Sequence, residues 1–291
     1  MRFLILLLLL QFVAASAHAQ NKPRPFATFD RAGPPVLNDP HDLAFGPDGR
    51  LYVADKFNSR ITILDPDTMD IVGTFGDGQL FGVHDISFGK NGRVAIAVTG
   101  LGAVVVFDDL RGANPKPSLI LPASRTEGAL MHSNGNIYAM AGGIGALIAY
   151  GPSGDLIGQV GNHVGAHDVA EDDEGNIWVA DNNNSRLVKY SPELEELQVL
   201  DQAKYGFIGP RYLDVDRYGR IVVADQDGHR VMMINPKAPD GGRLIGVLGN
   251  GLPGQGPGLF DDPEGVAIKD NRYYVSDSDN NRIVRYVVVI N

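Results

Sequence analysis

Three histidines in this sequence share one local context, because each is followed by an aspartate and then by an apolar residue. They are His41 in PHDL, His84 in VHDI and His167 in AHDV. Neutral imidazoles, together with a carboxylate, are good ligands for zinc and other first-row divalent ions. When three side chains hold such an ion and leave one position open, bound water becomes a nucleophile or a base. These histidines can act together only if the fold brings them to one place.

The segments around these histidines belong to an internal repeat with a period of about 40 to 50 residues. Clear copies begin at Pro40, Ala166, Pro210 and Pro263, and degenerate copies begin at Val83 and Thr126. Each copy has the pattern strand, turn, strand, turn, strand, and several are followed by a fourth strand. This organisation is typical of propeller blades. The sequence therefore predicts an all-β fold, a six-bladed β-propeller with four-stranded antiparallel blades.

The two ends of the repeat array predict how the propeller closes. The last copy ends at Asn291 without a fourth strand, whereas the segment PFATFD precedes the first copy. We predict that Phe26 to Phe29 supplies the missing strand of the last blade. Such closure leaves no open sheet edge.

Four copies keep an Asp at the end of the second strand and an Arg five residues later. The pairs are Asp55 and Arg60, Asp181 and Arg186, Asp225 and Arg230, and Asp277 and Arg282. We interpret each as an ion pair that holds the turn between the second and third strands. The other two copies have Val98 and Ala103, and Ala141 and Ala146, at these places, so their turns must be held differently.

Alignment of the six copies on their turn glycine places the three histidines at equivalent positions. The six aligned residues are His41, His84, Glu127, His167, Arg211 and Glu264. The first strand of a propeller blade is the innermost one, so these residues should form a ring about the central axis. The residues that follow the second strand should line the same mouth, and they are Lys56, Thr99, Gly142, Asn182, Gln226 and Ser278. Charged groups that converge in this way need partners or a ligand.

We predict a divalent metal ion in this ring, with zinc the best match to the side chains. The predicted metal ligands are His41, His84, His167 and Glu127, and Glu127 could instead act as a general base. Arg211 would hold a substrate carboxylate or an oxyanion, with help from Lys56. The predicted substrate contacts are Asn182, Gln226 and Glu264. The alternative is a ring of hydrogen-bonded polar groups around ordered water, without a metal. The other histidines of residues 20–291, His132, His163 and His229, are expected in solvated turns.

The repeats resemble the NHL family through the pattern P-x-D/G-L/V-A, then D-G-x-L/I-Y/W-V-A-D, then N-x-R-I/V. More distantly they resemble the peptidyl-hydroxyglycine amidating lyase (peptidylamidoglycolate lyase), a six-bladed propeller in which histidines in P-H-x-L contexts hold zinc. That resemblance implies a zinc ligand at His41. The Arg and Tyr that the lyase family uses in its site have no clear counterparts here, where Lys56 and Phe57, for example, occupy one of the matching places.

These observations predict an enzyme, a metal-dependent lyase or hydrolase that acts in the mouth on a small molecule or a peptide end. The alternative is a non-catalytic scaffold that binds a protein, a peptide or a glycan. A scaffold does not need three histidines and a glutamate around its axis, whereas a metal enzyme does. The glycine-rich loop from Gly249 enters the last blade from the mouth side and is either a lid or a mobile insertion.

The start of the chain reads as a signal peptide, with Arg2, an apolar run from Phe3 to Val13 and a small-residue site that ends at Ala19. We predict cleavage after Ala19, leaving residues 20–291 as one propeller domain that is secreted or periplasmic. The chain lacks cysteine, which excludes disulfides. A net charge of -10 disfavours nucleic acid as a partner. We expect a monomer without membrane contact after cleavage, with a small-molecule or peptide ligand in its mouth.

Overall fold

The computed structural model describes residues 24–111, 115–163 and 165–288, which form six four-stranded antiparallel sheets. The innermost strand of each sheet packs against the innermost strands of both neighbouring sheets, and the last packs against the first. The six sheets therefore close into a ring, which confirms the predicted six-bladed propeller. The predicted leader, residues 1–19, lies outside the described residues.

The strands follow the order of the repeats. The chain begins with β1 (Thr28–Ala32). Blade 1 contains β2 (Pro40–Phe45), β3 (Leu51–Asp55), β4 (Arg60–Leu64) and β5 (Ile71–Phe75). Blade 2 contains β6 (Val83–Phe88), β7 (Val94–Val98), β8 (Ala103–Phe107) and β9 (Leu119–Pro122). Blade 3 contains β10 (Thr126–Met131), β11 (Ile137–Ala141), β12 (Ala146–Tyr150) and β13 (Leu156–Val160).

The second half of the chain repeats the same arrangement. Blade 4 contains β14 (Val169–Glu171), β15 (Ile177–Asp181), β16 (Arg186–Tyr190) and β17 (Glu196–Leu200). A short helix, α1 (Gln202–Tyr205), leads to blade 5, which contains β18 (Pro210–Val215), β19 (Ile221–Asp225), β20 (Arg230–Asn235) and β21 (Arg243–Leu248). Blade 6 contains β22 (Pro263–Lys269), β23 (Arg272–Asp277) and β24 (Arg282–Val287). Within the described ranges, no helix has the length and apolar character needed to cross a membrane.

The last blade is closed by the N-terminal strand, as the sequence predicts. In the sheet order β1, β24, β23, β22, Thr28 lies opposite Val287 and Ala32 lies opposite Val284. The pairing begins two residues later than predicted because the preceding segment has another role. The carbonyl of Arg24 accepts a hydrogen bond from Val247 N at 3.1 Å, so this segment lies along the outer strand of blade 5. Phe26 also packs edge-to-face on Tyr273, with 5.4 Å between the ring centroids.

The middle strands of the blades are apolar on both sides because each blade packs face to face with its neighbours. All five residues of β3, β7, β11, β15 and β19 are buried. One of the resulting clusters joins Tyr52 and Ile61 of blade 1 to Ile86 and Val105 of blade 2. Continuous apolar strands of this kind are expected where a sheet is covered on both faces.

The predicted Asp–Arg pairs are confirmed and do more than hold one turn. Asp225 is fully buried and accepts hydrogen bonds from Arg230 Nε at 2.7 Å and from the backbone N–H groups of Ile208 and Gly209 at 2.9 and 2.8 Å. The carboxylate thus ties the turn after the second strand to the loop that enters the blade. The residue that ends this turn is left-handed in every blade, and in blades 2 and 3, which lack the Asp–Arg pair, it is a glycine, Gly102 or Gly145, at φ values of 59° and 66°.

The expectation of a solvated His163 is wrong, because this histidine contacts Asp181, the residue of blade 4 that is equivalent to Asp225. The His163 ring is buried, with Nδ1 2.9 Å from Asp181 Oδ2 and Nε2 2.8 Å from Tyr190 Oη. His132 is buried as well, with Nε2 3.0 Å from the Gly175 carbonyl oxygen. His229 is partly exposed and lies in a turn.

The direction of the strands defines one face of the propeller, which we call the mouth. Neighbouring strands in every blade are antiparallel. The start of each innermost strand, the turn after the second strand and the loop that enters the blade therefore all lie on the mouth side. The glycine-rich loop from Gly249 lies on this side too, and it is held to a turn by hydrogen bonds from Asn280 to Gly254 and from Arg282 to Gln255.

We expect Asp225→Asn to lower the free energy of unfolding by about 3 kcal/mol, because it leaves Arg230 and the loop N–H groups without a buried carboxylate. Urea denaturation followed by circular dichroism measures this change. Asp108→Asn is the control, since that side chain is 75% exposed and its substitution should cost less than about 0.5 kcal/mol. Equal effects of the two substitutions would contradict the role given to Asp225.

Candidate functional site

The ring residues occupy equivalent places at the mouth. Five of them are the second residue of an innermost strand: His41, His84, Glu127, Arg211 and Glu264. His167 precedes β14, but its N–H still bonds to the Ala180 carbonyl at 3.1 Å, so the strand geometry continues through it. Together with Lys56, Asn182 and Gln226, which follow second strands, these side chains form a polar depression that we call the cup.

One sector of the cup already balances its own charges. His41 Nδ1 lies 2.7 Å from Glu264 Oε2, and His41 Nε2 lies 3.0 Å from Lys56 Nζ. Lys56 Nζ also donates to Asp39 Oδ2 at 2.8 Å. Because a carboxylate can only accept, Nδ1 carries a proton and donates it to Glu264, while Nε2 lies between Lys56 and Asp39. Both nitrogens of His41 are therefore engaged.

The pKa values in this sector follow from its contacts. Burial opposes the charge on His41, but Glu264 and Asp39 raise the pKa of His41 above its usual value. Burial likewise opposes the charge on Asp39, yet hydrogen bonds to His41 and Lys56 hold the pKa of Asp39 well below its usual value. Asp39 was not among the predicted site residues. It lies two residues before the ring position, where the only other copy with an acid is the last one, with Asp262.

A second sector brings His84, Glu127 and His167 together without balancing them. His84 Nε2 lies 3.0 Å from Glu127 Oε2, and His167 Nε2 lies 3.9 Å from the same oxygen. The rings of His41 and His84 meet edge-to-face, with 4.5 Å between their centroids. The predicted ligands thus separate into His41, which faces Lys56 and Glu264, and the two histidines His84 and His167, which both face Glu127.

The tautomer of His84 is set by its other nitrogen. Nδ1 lies 2.7 Å from the Gly82 carbonyl oxygen and 2.8 Å from Thr99 Oγ1, whose hydroxyl donates to the Thr126 carbonyl. Nδ1 must therefore carry the proton. Burial and the nearby charge of His41 lower the pKa of His84 far below its usual value, so the ring is neutral. The lone pair on Nε2 then faces the Glu127 carboxylate.

A third sector presents hydrogen-bond donors to the cup. Among the described residues of the cup, Asn182 Nδ2 and His167 Nδ1 are buried donors that lack a hydrogen-bond partner, whereas Arg211 Nε faces Glu264 Oε2 at 3.3 Å. Arg211 is held in place through Nη1, which donates to Gln226 Oε1 at 2.6 Å. Gln226 in turn donates to Glu264 Oε1 at 3.0 Å. Buried donors without partners are costly, so these groups favour a ligand with acceptor oxygens.

Tyr212 is a further site residue that the sequence analysis missed. Its buried ring lies between His41 and His167, at centroid distances of 6.1 and 6.3 Å. Its hydroxyl lies 3.4 Å from the Glu127 carbonyl oxygen and 3.5 Å from His41 Nδ1. Burial raises the pKa of Tyr212 well above its usual value, so the hydroxyl stays protonated and can donate. The sequence contained a sign of this role, because the residue after the ring position is Asp in the three histidine copies and Tyr in the fifth copy alone.

The cup opens into a cleft of about 500 Å³ on the mouth side. The cleft is lined by residues of blades 5, 6 and 1, among them Lys56, Arg211, Gln226, Glu264 and Ser278. This volume lies within the range of small-molecule sites.

Comparison with known proteins identifies the repeats. A family model for the NHL repeat matches residues 37–64, 164–190 and 260–286. Three blades of this propeller, the first, the fourth and the sixth, therefore carry NHL repeats. No functionally curated protein matches the sequence of this chain.

Solved structures with the same fold include several enzymes. Virginiamycin B lyase from Staphylococcus aureus is 11% identical, with a TM-score of 0.62 over 87% of this chain and 96% of its own. A PQQ-bound aldose sugar dehydrogenase from Streptomyces coelicolor is 15% identical, with a TM-score of 0.66 over 90% of this chain and 97% of its own. A protein of unknown function from Bacteroides thetaiotaomicron is 14% identical, with a TM-score of 0.70 over 92% and 75%. These likenesses concern the fold, and the more distant resemblance to the peptidyl-hydroxyglycine amidating lyase stays a prediction.

The Asp that follows each ring histidine serves the fold of the propeller. Asp85 accepts a hydrogen bond from Ala129 N at 2.5 Å, and Asp168 accepts one from Leu213 N at 2.7 Å. Each bond joins the innermost strands of adjacent blades. Burial raises the pKa values of Asp42 and Asp168 well above the usual range, and the nearby charge of Asp85 raises them further. Burial raises the pKa of Asp85 from 3.8 to about 7.

This raised pKa predicts that stability falls as pH rises. Between pH 4 and 7 the folded chain holds protons at Asp42, Asp85 and Asp168 that the unfolded chain releases, so the free energy of unfolding should fall, and Asp85 should account for roughly 2–4 kcal/mol of this fall. Asp85→Asn should remove this share, as measured by urea denaturation at each pH. Asp108→Asn is expected to keep the wild-type profile. A wild-type profile in Asp85→Asn would show that Asp85 is ionised throughout.

Proposed function

We propose that the cup is the active site of a metal-dependent lyase or hydrolase that acts on a small molecule or a peptide end. The observation that carries this proposal is the contact between His84 Nε2 and Glu127 Oε2 at 3.0 Å. Both atoms are acceptors in the protonation states described above, so a positive charge must lie between them. A proton on Glu127 would meet this need, since burial raises the pKa of Glu127, and so would a metal ion.

The donor set at this contact fits a divalent ion such as zinc. Two ligands with bonds of about 2.1 Å at tetrahedral angles lie about 3.4 Å apart, and the distances from Glu127 Oε2 to the two histidines, 3.0 and 3.9 Å, fall on either side of this value. The residues that would hold the ion are Glu127, His84 and His167, and the two histidines would have to approach each other, since the ligand atoms of these three residues do not all lie within 4.8 Å of one another. Two neutral imidazoles and one carboxylate form a known catalytic zinc set.

A second group of possible metal ligands fits an ion less well. The donor atoms of Asp39, His41 and Glu264 lie within 4.8 Å of one another. Lys56 Nζ, however, lies 2.8 Å from Asp39 and 3.0 Å from His41, and so supplies the positive charge that this group needs. A cation would have to displace the ammonium group.

Around the ion, the side chains of the chain itself bind and orient the substrate. A bound divalent ion would polarise a substrate oxygen or lower the pKa of bound water. Asn182 would donate to an acceptor oxygen of the substrate, because its buried amide nitrogen lacks another partner, and Arg211, which is paired with Glu264 at 3.3 Å, would lie beside that oxygen. Tyr212 would donate from the floor of the cup, and His41 would hold a proton between Glu264 and the cup. The lyase and dehydrogenase neighbours support the proposal by showing that this fold can carry an enzyme.

Metal analysis tests this proposal directly. Protein stripped with a chelator, incubated with zinc and desalted should retain about one zinc per chain by mass spectrometry of the metal. His84→Ala and Glu127→Gln should each lose most of it, because each removes one of three ligands. His229→Asn is the matched control, since this partly exposed histidine contacts Asp261 and Asp262 and none of the three ligands. A wild-type protein without zinc, or a His84→Ala variant with the full amount, would contradict the proposal.

The role of Lys56 gives a second, independent test. Lys56→Ala removes the ammonium and leaves Asp39, His41 and Glu264 facing one another, so we expect this variant to bind a second equivalent of zinc. The exposed Lys116 supplies the control variant, Lys116→Ala, which should bind as much zinc as wild type. One equivalent or less in Lys56→Ala would show that the ammonium does not balance this group.

A further inference from the structure

Lys56, His41 and Glu264 form a chain of contacts that begins in the cleft. Lys56 Nζ lies 3.0 Å from His41 Nε2, and His41 Nδ1 lies 2.7 Å from Glu264 Oε2. The side chains of His41 and Glu264 are buried, whereas that of Lys56 is 21% exposed and lines the cleft. A nucleophile, a base that takes its proton and a carboxylate that orients the base have this arrangement in enzymes. The geometry therefore gives Lys56 the partners of a nucleophilic amine.

The proton between Lys56 and His41 can lie on either side chain without a change in total charge. As an ammonium, Lys56 donates to Asp39 and to the lone pair of His41 Nε2. If that proton moves to His41, the resulting imidazolium lies between two carboxylates, with Glu264 2.7 Å from Nδ1 and Asp39 3.4 Å from Nε2. Burial opposes this charge, but the two carboxylates raise the pKa of His41 above its usual value. Lys56 is then a neutral amine with a free lone pair.

Other lysines of the chain have carboxylates as partners instead. The ammonium groups of Lys189 and Lys237 contact acidic side chains, and among the described residues no histidine lies within hydrogen-bond distance of either. A carboxylate holds an ammonium group but is a weaker base than imidazole, so it takes the proton less readily. The contact with His41 thus distinguishes Lys56 from a lysine that only forms ion pairs.

We propose that Lys56 is a nucleophile that forms a covalent imine with an aldehyde or ketone in the cleft, with His41 as its base and Glu264 as the residue that positions His41. The ligand class follows from the nucleophile, since a neutral primary amine attacks the carbon of a carbonyl group. The cleft of about 500 Å³ admits a small carbonyl compound. This inference goes beyond the proposed function, because the reaction uses no metal ion.

The reaction balances within these side chains. The Lys56 ammonium passes one proton to His41 Nε2, and the neutral amine attacks the carbonyl carbon while one N–H proton moves to the carbonyl oxygen. His41 then returns its proton to the new hydroxyl, which leaves as water as the nitrogen lone pair forms the C=N bond. The product is a protonated imine at Lys56, which carries the positive charge that the ammonium carried before. Such an imine withdraws electrons from the neighbouring carbon and so permits cleavage of a bond there.

Pentane-2,4-dione tests the inference without a metal or a reductant. It condenses with a neutral primary amine, through the imine and with loss of one water, to an enaminone that absorbs in the near ultraviolet. In chelator at neutral pH, the wild-type protein should form about one enaminone per chain at Lys56, roughly tenfold faster than at Lys237, as measured by absorbance and peptide mass spectrometry. Lys56→Arg should lose this fast reaction. Lys237→Arg is the matched control and should keep it, since this lysine contacts only carboxylates.

Two further variants test the base and the residue that positions it. His41→Gln should slow labelling of Lys56 by roughly a hundredfold, the range expected for loss of a general base, and Glu264→Gln should slow it by about tenfold. Both losses should appear in the maximal rate rather than in the diketone concentration that gives half of it. Labelling of Lys56 no faster than Lys237 in wild type would overturn the inference. So would an unchanged rate at Lys56 in both variants, provided that each keeps the wild-type circular dichroism spectrum.

The two proposals fail separately. Labelling of Lys56 that depends on His41, in a protein that retains no zinc, would sustain the amine chemistry and remove the metal enzyme. Zinc retention by a protein whose Lys56 reacts no faster than Lys237 would sustain the metal site and remove the amine chemistry.

Discussion

Six innermost strands begin around one axis, and this convergence is the constraint on which the site depends. Each strand start delivers a side chain to a space where water has little access. In that space His41, His84, Glu127, His167, Arg211 and Glu264 have mainly one another as partners, and buried charges are stable only when they are paired. The closed ring of blades fixes the strand starts, so the side chains cannot move apart to reach solvent. What each of these side chains can bind depends on whether a partner of opposite charge within the ring already contacts it.

The balance differs from one side of the cup to the other. Near blades 6 and 1, Lys56 reaches across to Asp39 and His41, and Glu264 faces His41 and Arg211, so charges and protons match. Near blades 2 to 4, the neutral His84 faces the carboxylate of Glu127 with a lone pair, and no side chain among the described residues supplies a cation there. The same polar ring thus contains one cation that has its partners and one pair of facing acceptors without a cation among the described residues. This contrast separates a structural charge network from the proposed metal site within a single ring.

The repeat made most of the fold and the ring predictable from sequence. Turn glycines and apolar strands recur in register, so six copies could be counted, and the missing fourth strand of the last copy indicated closure by the N-terminal segment. The residues that the repeat does not share were less accessible. Asp39 lies in an entry loop that differs among the copies, and Tyr212 replaces an Asp or Gly of other copies. The contacts of His163 with Asp181 and Tyr190 likewise depend on an entry loop whose path no repeat specifies.

The sequence also could not show which sector of the ring has its charges balanced and which does not. It depends on which nitrogen of His84 carries the proton, and that is set by the Gly82 carbonyl and Thr99, both positioned by local loop geometry. It depends equally on the length of Lys56, which lets one side chain from the turn after β3 serve the acid and the histidine of its own blade. Residue types at aligned positions do not contain this information.

Anomalous diffraction at the zinc absorption edge, on crystals of the chain grown with zinc, tests the central claim most directly. The account predicts one strong peak about 2.1 Å from both His84 Nε2 and Glu127 Oε2, with Lys56 still bound to Asp39. A peak between Asp39, His41 and Glu264 with Lys56 displaced, or no peak within the ring, would contradict it.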